Sequence, residues 1–405
     1  MREGSEGRTG ALRGLPRNLW AVSLSSFFMD VSSEMVLNIL PLFLSSVLGV
    51  RTTFIGLIEG LAEATSSLLR IVSGWLSDRL GSRKWLAVGG YAVSALMKPV
   101  FYVANTWLSV AGARWGDRVG KGIRTAPRDA LVADSIAKER RGFAFGFHRA
   151  ADTAGAMLGI LGALLAVWIT QGKASHLQAH TFRVIVLVSL APAFLAVLAL
   201  AVGAREVALR RSGRPSVSFR RLGRPFGLFL FLVAIFELGD SADAFLVLRA
   251  QSLGTTVLGI LGMLAAFNLV YAVISTPAGS LSDRVPRRAL IVGGWFAYAA
   301  IYLGIGLTHV GWSMWLFYLL YGAYYGAAYG TTRAFVADLV PAELRATAYG
   351  AYATVVGVLS LPASLVAGVF WDRFGPASPF LFGGGLSFLA ALGLLLWRAP
   401  RAKTA

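Results

Sequence analysis

Ionisable residues sit inside apolar stretches of this chain at spacings that put them on common helical faces. Asp30 and Glu34 stand four residues apart within the apolar segment 18–48, and Glu59, Glu63 and Arg70 share a face of the segment 52–76. The segment 106–135 carries Arg114, Asp117, Arg118, Lys121, Arg124 and Arg128, which at roughly 100° per residue fall within an arc of about 120°. Pro127 is expected to bend that segment near its end and re-aim Arg128. A charge in hydrocarbon costs several kcal/mol, so each of these groups must face a cavity or a partner. A carboxylate facing a cavity can bind and release a proton, and a neighbouring Arg or Lys competes for it once it is deprotonated. Asp30 and Glu34 are therefore the expected proton site, with Arg118 or Lys121 as the competing cation. The bland alternative makes many of these charges satisfied pairs, with Arg70, Asp129, Asp134 and Arg141 the first candidates.

Other residues could also do chemistry. His148 and Asp152 lie one turn apart, as a pH-sensing pair would, although His148 near a segment end could equally be solvated. Gly155, Gly159 and Gly162 form a small-residue stripe suited to close helix packing. Tyr321, Tyr324, Tyr325 and Tyr329, interleaved with Gly322, Gly326 and Gly330, have the spacing of an aromatic cavity wall for an apolar or cationic ligand. They could instead pack against small residues of the segment 345–371. The first half holds fifteen ionisable residues within its spans, whereas the second holds Glu237, Asp240, Asp243 and Arg333.

The elements that must position these groups follow from composition. The 405 residues are 56% hydrophobic and 14% charged, with a mean hydropathy of +0.65, which points to lipid as the solvent. A spanning helix takes about 20 residues, so the length accommodates about 12 spans and no soluble catalytic domain. Hydropathy predicts an all-α membrane protein with helices at 18–48, 52–76, 84–104, 106–135, 142–170, 181–203, 226–250, 256–281, 288–309, 311–338, 345–371 and 377–397. Residues 1–17 read as a cytoplasmic tail, 18–203 as one six-helix bundle, 204–224 as a basic linker, 225–398 as a second bundle and 399–405 as a second tail. The tails and the loops on their side carry 24 Lys and Arg, against five on the other side (Arg51, Lys173, Arg183, Arg249 and Arg373). That bias places both termini in the cytoplasm and explains the net charge of +18 without nucleic acid. With no cysteine there is no disulfide framework or thiolate metal site.

The two bundles repeat one another. Gly74-Trp-Leu-Ser-Asp78-Arg79 with Arg83 matches Gly279-Ser-Leu-Ser-Asp283-Arg284 with Arg288, and Ala133-Asp134, Arg141 and Ala144-Phe145-Gly146 match Ala337-Asp338, Arg345 and Ala348-Tyr349-Gly350. Two blocks in the same order indicate a duplicated six-helix unit with both copies inserted the same way. Asp30 and Asp240 occupy matching positions.

The loop Gly74 to Lys84, GWLSDRLGSRK, resembles the signature loop of the major facilitator superfamily, and the echo at Gly279 to Arg288 with the 6+6 plan extends the resemblance over almost the whole chain. The resemblance is to the 12-helix drug/proton antiporter-like group. It implies a conformational latch made by Gly74, Asp78, Arg79, Arg83, Asp134, Arg141, Asp283 and Arg284. Arg118-x-x-Lys121-Gly122-x-Arg124 is similar to the superfamily's helix-4 motif, with Lys121 in place of its glutamine, and the helix-5 glycines lack the antiporters' Gly-Pro step. Because helices 1, 4, 7 and 10 line the cavity in this superfamily, the resemblance implies Lys121, Arg124, Glu237, Asp240 and Asp243 as substrate ligands, and the aromatic spacing adds Tyr325. It further implies a monomer in the cytoplasmic (inner) membrane of a prokaryote, with protons as the coupling ion and no cofactor.

The reading that follows is proton-coupled export of a small organic compound. Two alternatives remain: a divalent metal held by Asp30, Glu34 and the three acids of the seventh helix, and an organic anion held by Lys121, Arg124 and Arg128. No H-E-x-x-H and no G-x-S-x-G occurs, so no enzyme is expected. The tails are too short to supply a receptor's signalling domain.

Overall fold

The computed structural model describes residues 15–137, 140–207, 222–282, 285–341 and 344–397, with backbone alone described at 276–282, 328–330, 333, 334 and 346. Asp283 and Arg284, residues 208–221 of the expected linker, and the side chains of Tyr329 and Arg333 lie outside the described residues. All regular structure among the described residues is helical. Helix α1 (Arg17–Leu37) continues through a short turn at Leu40–Leu42 and a π-helical turn at Phe43–Val47. It is followed by α2 (Thr52–Leu80), α3 (Lys84–Val103), α4 (Trp107–Asp134), α5 (Arg141–Thr170) and α6 (Ala179–Gly203). The second set is α7, in two segments (Gly223–Gly239 and Ala244–Ser252), then α8 (Val257–Ser282), α9 (Arg287–Leu307), α10 (Ser313–Asp338), α11 (Arg345–Phe374) and α12 (Ser378–Leu396).

Local chemistry sets several of these boundaries. Gly81, at φ 69°, ends α2 in the left-handed conformation that a side chain disfavours, and its N–H caps the Ser77 carbonyl. Thr106 and Ser109 form a reciprocal capping box at the start of α4. The unbroken helix expected over 226–250 is interrupted instead: Asp240 leaves the helix at φ −90°, ψ 87°, and the helix resumes at Ala244. The run Gly239-Asp-Ser-Ala-Asp243 explains the break, because Asp and Ser side chains compete for backbone hydrogen bonds and Gly is a weak helix former. The Ala242 N–H released by the break donates to Ser364 Oγ on α11, 3.2 Å away. Eight of the described helices are long and apolar enough to cross a membrane on composition alone. Those outside that group include α2 and α4, which carry the buried charges, and the broken α7.

Helices α1–α6 pack among themselves, as do α7–α12, on a common plan. In the first set α1 packs on α5 and α6, α2 on α4, and α3 on α4 and α6; in the second α7 packs on α11 and α12, α8 on α10, and α9 on α10 and α12. The main contacts between the sets are α2 with α11 and α5 with α8. The repeat is visible in bonds as well as sequence. Arg83 pairs with Asp134 at 3.0 Å and Arg287 with Asp338 at 2.7 Å, while Arg141 Nε donates to the Ala133 carbonyl at 3.0 Å and Arg345 Nε to the Ala337 carbonyl at 3.3 Å. This corrects one alignment made from the sequence: the structural counterpart of Arg83 is Arg287, and Arg288 donates to the Leu394 and Leu395 carbonyls of α12.

The two ends of the bundle differ. At the end away from the basic loops, α2 and α11 approach so closely that a Cβ on Gly60 would lie 2.8 Å from Leu361 Cα, and one on Gly368 would lie 2.6 Å from the Thr52 carbonyl oxygen. There Asp372 of α11 accepts from the Thr52 and Thr53 amides at 3.2 and 2.9 Å, and from both hydroxyls, capping the start of α2 from the other set. Gln251 Nε2 reaches Ser46 Oγ at 2.9 Å, and the Val257 N–H reaches the Ala174 carbonyl at 3.3 Å. Toward the basic end, the described hydrogen bond between the sets runs from Arg149 Nη2 to Tyr271 Oη at 2.6 Å.

Candidate transport cavity

Between the sets lie two adjoining lobes of about 520 and 510 Å³ that share Glu63, Ser67, Glu237, Asp240, Tyr325 and Val356. The deeper lobe is bounded by Glu34, Asn38, Arg114, Arg118, Lys121, Asp243, Tyr318 and Tyr321. The other extends through Arg70, Ile71, Thr332 and Tyr349 toward the basic ends of α2, α10 and α11. The cavity is thus closed by the Asp372 end and directed toward the basic loops.

One wall is built from α2 and α4, where acid meets base as the spacing of both faces leads one to expect. Arg114 holds Glu59 with Nη2 at 2.5 Å and Nε at 3.1 Å, and Arg118 pairs with Glu63 at 3.4 Å. Behind this wall Asp117 lies 3.7 Å from Lys98 of α3 and 3.8 Å from Arg114. Lys98 is fully buried and also reaches Ser33 Oγ of α1 at 3.4 Å. These are desolvated pairs, which constrain geometry strongly because removing one partner strands the other.

The charged arc of α4 is wider than the cavity, and this corrects two expectations. Arg124 does not line either lobe: its Nη1 donates to Ser94 Oγ at 2.5 Å and its guanidinium lies 4.7 Å from the Tyr91 ring centroid, both on α3. Arg118, expected to compete for Asp30 or Glu34, is engaged by Glu63. Arg128 pairs with Asp129 at 2.8 Å and donates to Ser26 of α1 at 3.1 Å. Arg70, expected among the paired charges, lines the cavity with a buried Nε that has no hydrogen-bond partner among the described residues. Lys121 does line the deeper lobe, and its charged surroundings are Arg118, Glu63, Asp30 and Arg124. Among the described residues no carboxylate oxygen lies within 4.0 Å of it.

The opposite wall has another character. Asp240 accepts a hydrogen bond from Tyr298 Oη at 2.8 Å, and Asp243 accepts one from Tyr321 Oη at 3.0 Å. Glu237 opens onto both lobes. Tyr298 and Tyr302 of α9 stack at 4.2 Å, and Tyr321, Tyr324 and Tyr325 of α10 lie against one another, with Tyr321 and Tyr325 also against Phe267 of α8. The α10 glycines pack on α8 rather than α11: a Cβ on Gly322 would lie 2.7 Å from the Phe267 carbonyl oxygen, and one on Gly326 would lie 3.2 Å from Ile274. From α1, Glu34 accepts from Asn38 Nδ2 at 2.8 Å. Asp30 lies on the same face, with Asp152, Glu34, Lys121 and Arg124 as its charged surroundings. Among the described residues no group of three His, Cys, Asp or Glu converges as metal ligands would, so Glu237, Asp240 and Asp243 do not form such a group.

The expected latch residues of the first set cluster at the basic end. Arg83 bridges Asp134 at 3.0 Å and Asp78 at 3.4 Å, Arg79 lies 5.3 Å from the Trp75 ring centroid, and Gly74 lets α2 approach Ala126 of α4. Sequence reasoning missed Asn38, Tyr298, Tyr318 and Asp372. Asn38 was signalled by its place one turn after Glu34, Tyr298 and Tyr302 by their helical spacing, and Asp372 only by two threonines at a helix start in the other half.

Comparison with known proteins agrees with this architecture. The sequence profile of the Major Facilitator Superfamily matches residues 22–360 and 229–405. An uncharacterised MFS-type transporter of Methanocaldococcus jannaschii is 35% identical over 396 residues, covering 95% of each chain. A multi-drug resistance efflux pump PmrA homologue of Lactococcus lactis is 24% identical over 386 residues, covering 90% of this chain and 92% of its own. Among solved structures, a POT family transporter in complex with 5-aminolevulinic acid superposes with a TM-score of 0.78 at 13% identity, over 95% of this chain and 96% of its own. With its described helices in two like sets about a central cavity and matches covering nearly its full length, the chain belongs to the major facilitator superfamily of membrane transporters.

Proposed function

We propose that the chain is a secondary active transporter that exports a small organic cation in exchange for protons by alternating access. One observation carries the reading. Glu34, Glu237, Asp240 and Asp243 face the cavity with no Lys or Arg within 4.0 Å among the described residues, whereas Glu59 and Glu63 each have one and Asp117 has two. Acids so placed exchange a proton for a cationic ligand, and the tyrosine faces beside them suit an organic cation. Tyr298 and Tyr321 orient the α7 carboxylates, while Asp30 and Glu34 supply proton sites on α1. Export fits a cavity directed toward the basic loops, which the positive-inside rule puts in the cytoplasm of a prokaryotic inner membrane. The Lactococcus relative's name as a multi-drug efflux pump homologue supports the direction. Lys121 and Arg70 favour a second reading, in which an organic anion is carried.

The test uses full-length protein in proteoliposomes with an acidic lumen and a pH-sensitive dye. Adding tetraphenylphosphonium drives proton efflux in the wild type, and Asp240→Asn abolishes it. Proton movement driven by citrate instead, lost in Lys121→Gln, would replace the cation reading with the anion one.

A further inference from the structure

Between α1, α4 and α5, behind the cavity wall, lies a second cluster of titratable groups that the cavity chemistry does not use. His148 is 4% exposed, and neither ring nitrogen has a hydrogen-bond partner among the described residues. Its Nε2 points at Asp152 Oδ2 one turn on, at 3.7 Å, too long for a hydrogen bond. The other carboxylate oxygen, Asp152 Oδ1, is buried and also lacks a partner. An unsatisfied buried ring nitrogen 3.7 Å from a carboxylate whose other oxygen is also unsatisfied leaves polar groups that a proton on the carboxylate would help to satisfy.

The glycine stripe of α5 fixes where this pair sits. A Cβ on Gly159 would lie 2.6 Å from the Val31 carbonyl oxygen and 3.2 Å from that of Asp30, and Gly155 lies against the Phe27 backbone. Asp152 is one turn from Gly155 on the same face, which puts it on the side of α5 that meets the Asp30 turn of α1. The charged groups around the pair are all accounted for. From α1 they are Asp30 and, beyond it, Glu34; from α4 they are Arg124, bonded to Ser94, Arg128, bonded to Asp129 and Ser26, Asp129 itself, and Lys121 on the Asp30 side. On α5 itself Arg149, next to His148, spans to Tyr271 of α8. His148 is the cation-capable group within 4.0 Å of Asp152 among the described residues. The Asp152 side chain keeps 20% exposure, so protons can reach it.

We infer that Asp152, one turn from His148 on the side of α5 that meets the Asp30 turn of α1, is a proton-carrying carboxylate of this transporter, distinct from the acids of the α7 break. The inference rests on the proton-coupled reading above. The same helix forms the α5–α8 contact, one of the main places where the six-helix sets meet, and Arg149, three residues before Asp152, crosses that contact to Tyr271. A change of charge on Asp152 therefore falls on a helix that packs on α1 on one side and on α8 of the other set on another, a contact that must rearrange when the bundle opens and closes.

The chain has no native cysteine, so two can be placed for spin labels at Gly146 and Gly350, repeat-related positions near the basic end where a Cβ meets nothing within 4 Å. The distance between them is measured in full-length protein from pH 5 to pH 9. The expected result is a pH-dependent distribution in the unsubstituted background, a loss of that dependence in Asp152→Asn with the low-pH distribution held throughout, and a shifted midpoint in His148→Gln. Asp152→Glu restores a titration, which a merely structural defect would not. A response with unchanged midpoint and amplitude in both Asp152→Asn and His148→Gln overturns this site while leaving proton coupling intact. A background protein whose distance does not respond to pH overturns the site together with the proton-coupled reading.

Discussion

The two walls of the cavity use charge in opposite ways. On α2 and α4, Glu59, Glu63 and Asp117 are matched by Arg114, Arg118 and Lys98. On α7, Glu237, Asp240 and Asp243 meet tyrosine hydroxyls and open space. Breaking a buried ion pair costs far more than removing one hydrogen-bonded acid, because the stranded partner stays charged in a poor solvent. The first wall therefore reads as scaffold and the second as chemistry, the reverse of what the number of charges on each side suggests.

The largest expected effect comes from breaking the scaffold. Arg114→Ala strands Glu59 and lowers stability by about 3–5 kcal/mol, visible as loss of folded protein on heating in detergent. Arg114→Met combined with Glu59→Leu recovers most of that loss, because Glu59 is no longer stranded and Asp117 keeps Lys98. If the double variant unfolds as readily as the single, the pair contributes more than mutual neutralisation. On the other wall, Asp240→Asn keeps a hydrogen-bonding partner for Tyr298, so its stability falls by less than about 1 kcal/mol while proton exchange is lost.

The closed end sharpens the contrast, since Asp372 holds the two sets together by capping α2 across the divide. Asp372→Ala removes a cap of about 1 kcal/mol and shifts the balance toward the form open at that end by roughly fivefold, readable as cysteine accessibility near Thr53. An unchanged accessibility would show that the glycine-packed α2–α11 crossing alone holds the end shut. The smallest effect is expected at Arg287→Ala, whose pair with Asp338 is 33% and 47% exposed and contributes about 0–1 kcal/mol. Arg83→Ala, its repeat counterpart at 11% exposure, costs more because it also frees Asp78 and Asp134.

Much of the architecture was legible in the sequence. Long apolar runs, basic loops and the repeated Gly74 and Gly279 motifs pointed to the spans and their duplication, and helical spacing set the acidic face of α2 and the basic face of α4, but not which residues pair across them. The break in α7 was not legible, because hydropathy is summed over a window wide enough to carry Asp240 and Asp243 along with their apolar neighbours. Arg124 was misassigned for a geometric reason. A 120° arc on one helix faces several neighbours in a bundle, and only the packing decides that Arg124 meets Ser94 and Tyr91 rather than the cavity. The partners of the α7 acids lay outside any local pattern, since Tyr298 is 58 residues from Asp240 and Tyr321 is 78 from Asp243.

The most direct test of the division between the walls is calorimetric titration of purified full-length protein with tetraphenylphosphonium, repeated in buffers of different ionisation enthalpy to count the protons released. The account predicts proton release on binding in the wild type, its loss in Asp240→Asn and its persistence in Glu63→Gln. Release that survives in Asp240→Asn but disappears in Glu63→Gln would contradict it and move the chemistry to the paired wall.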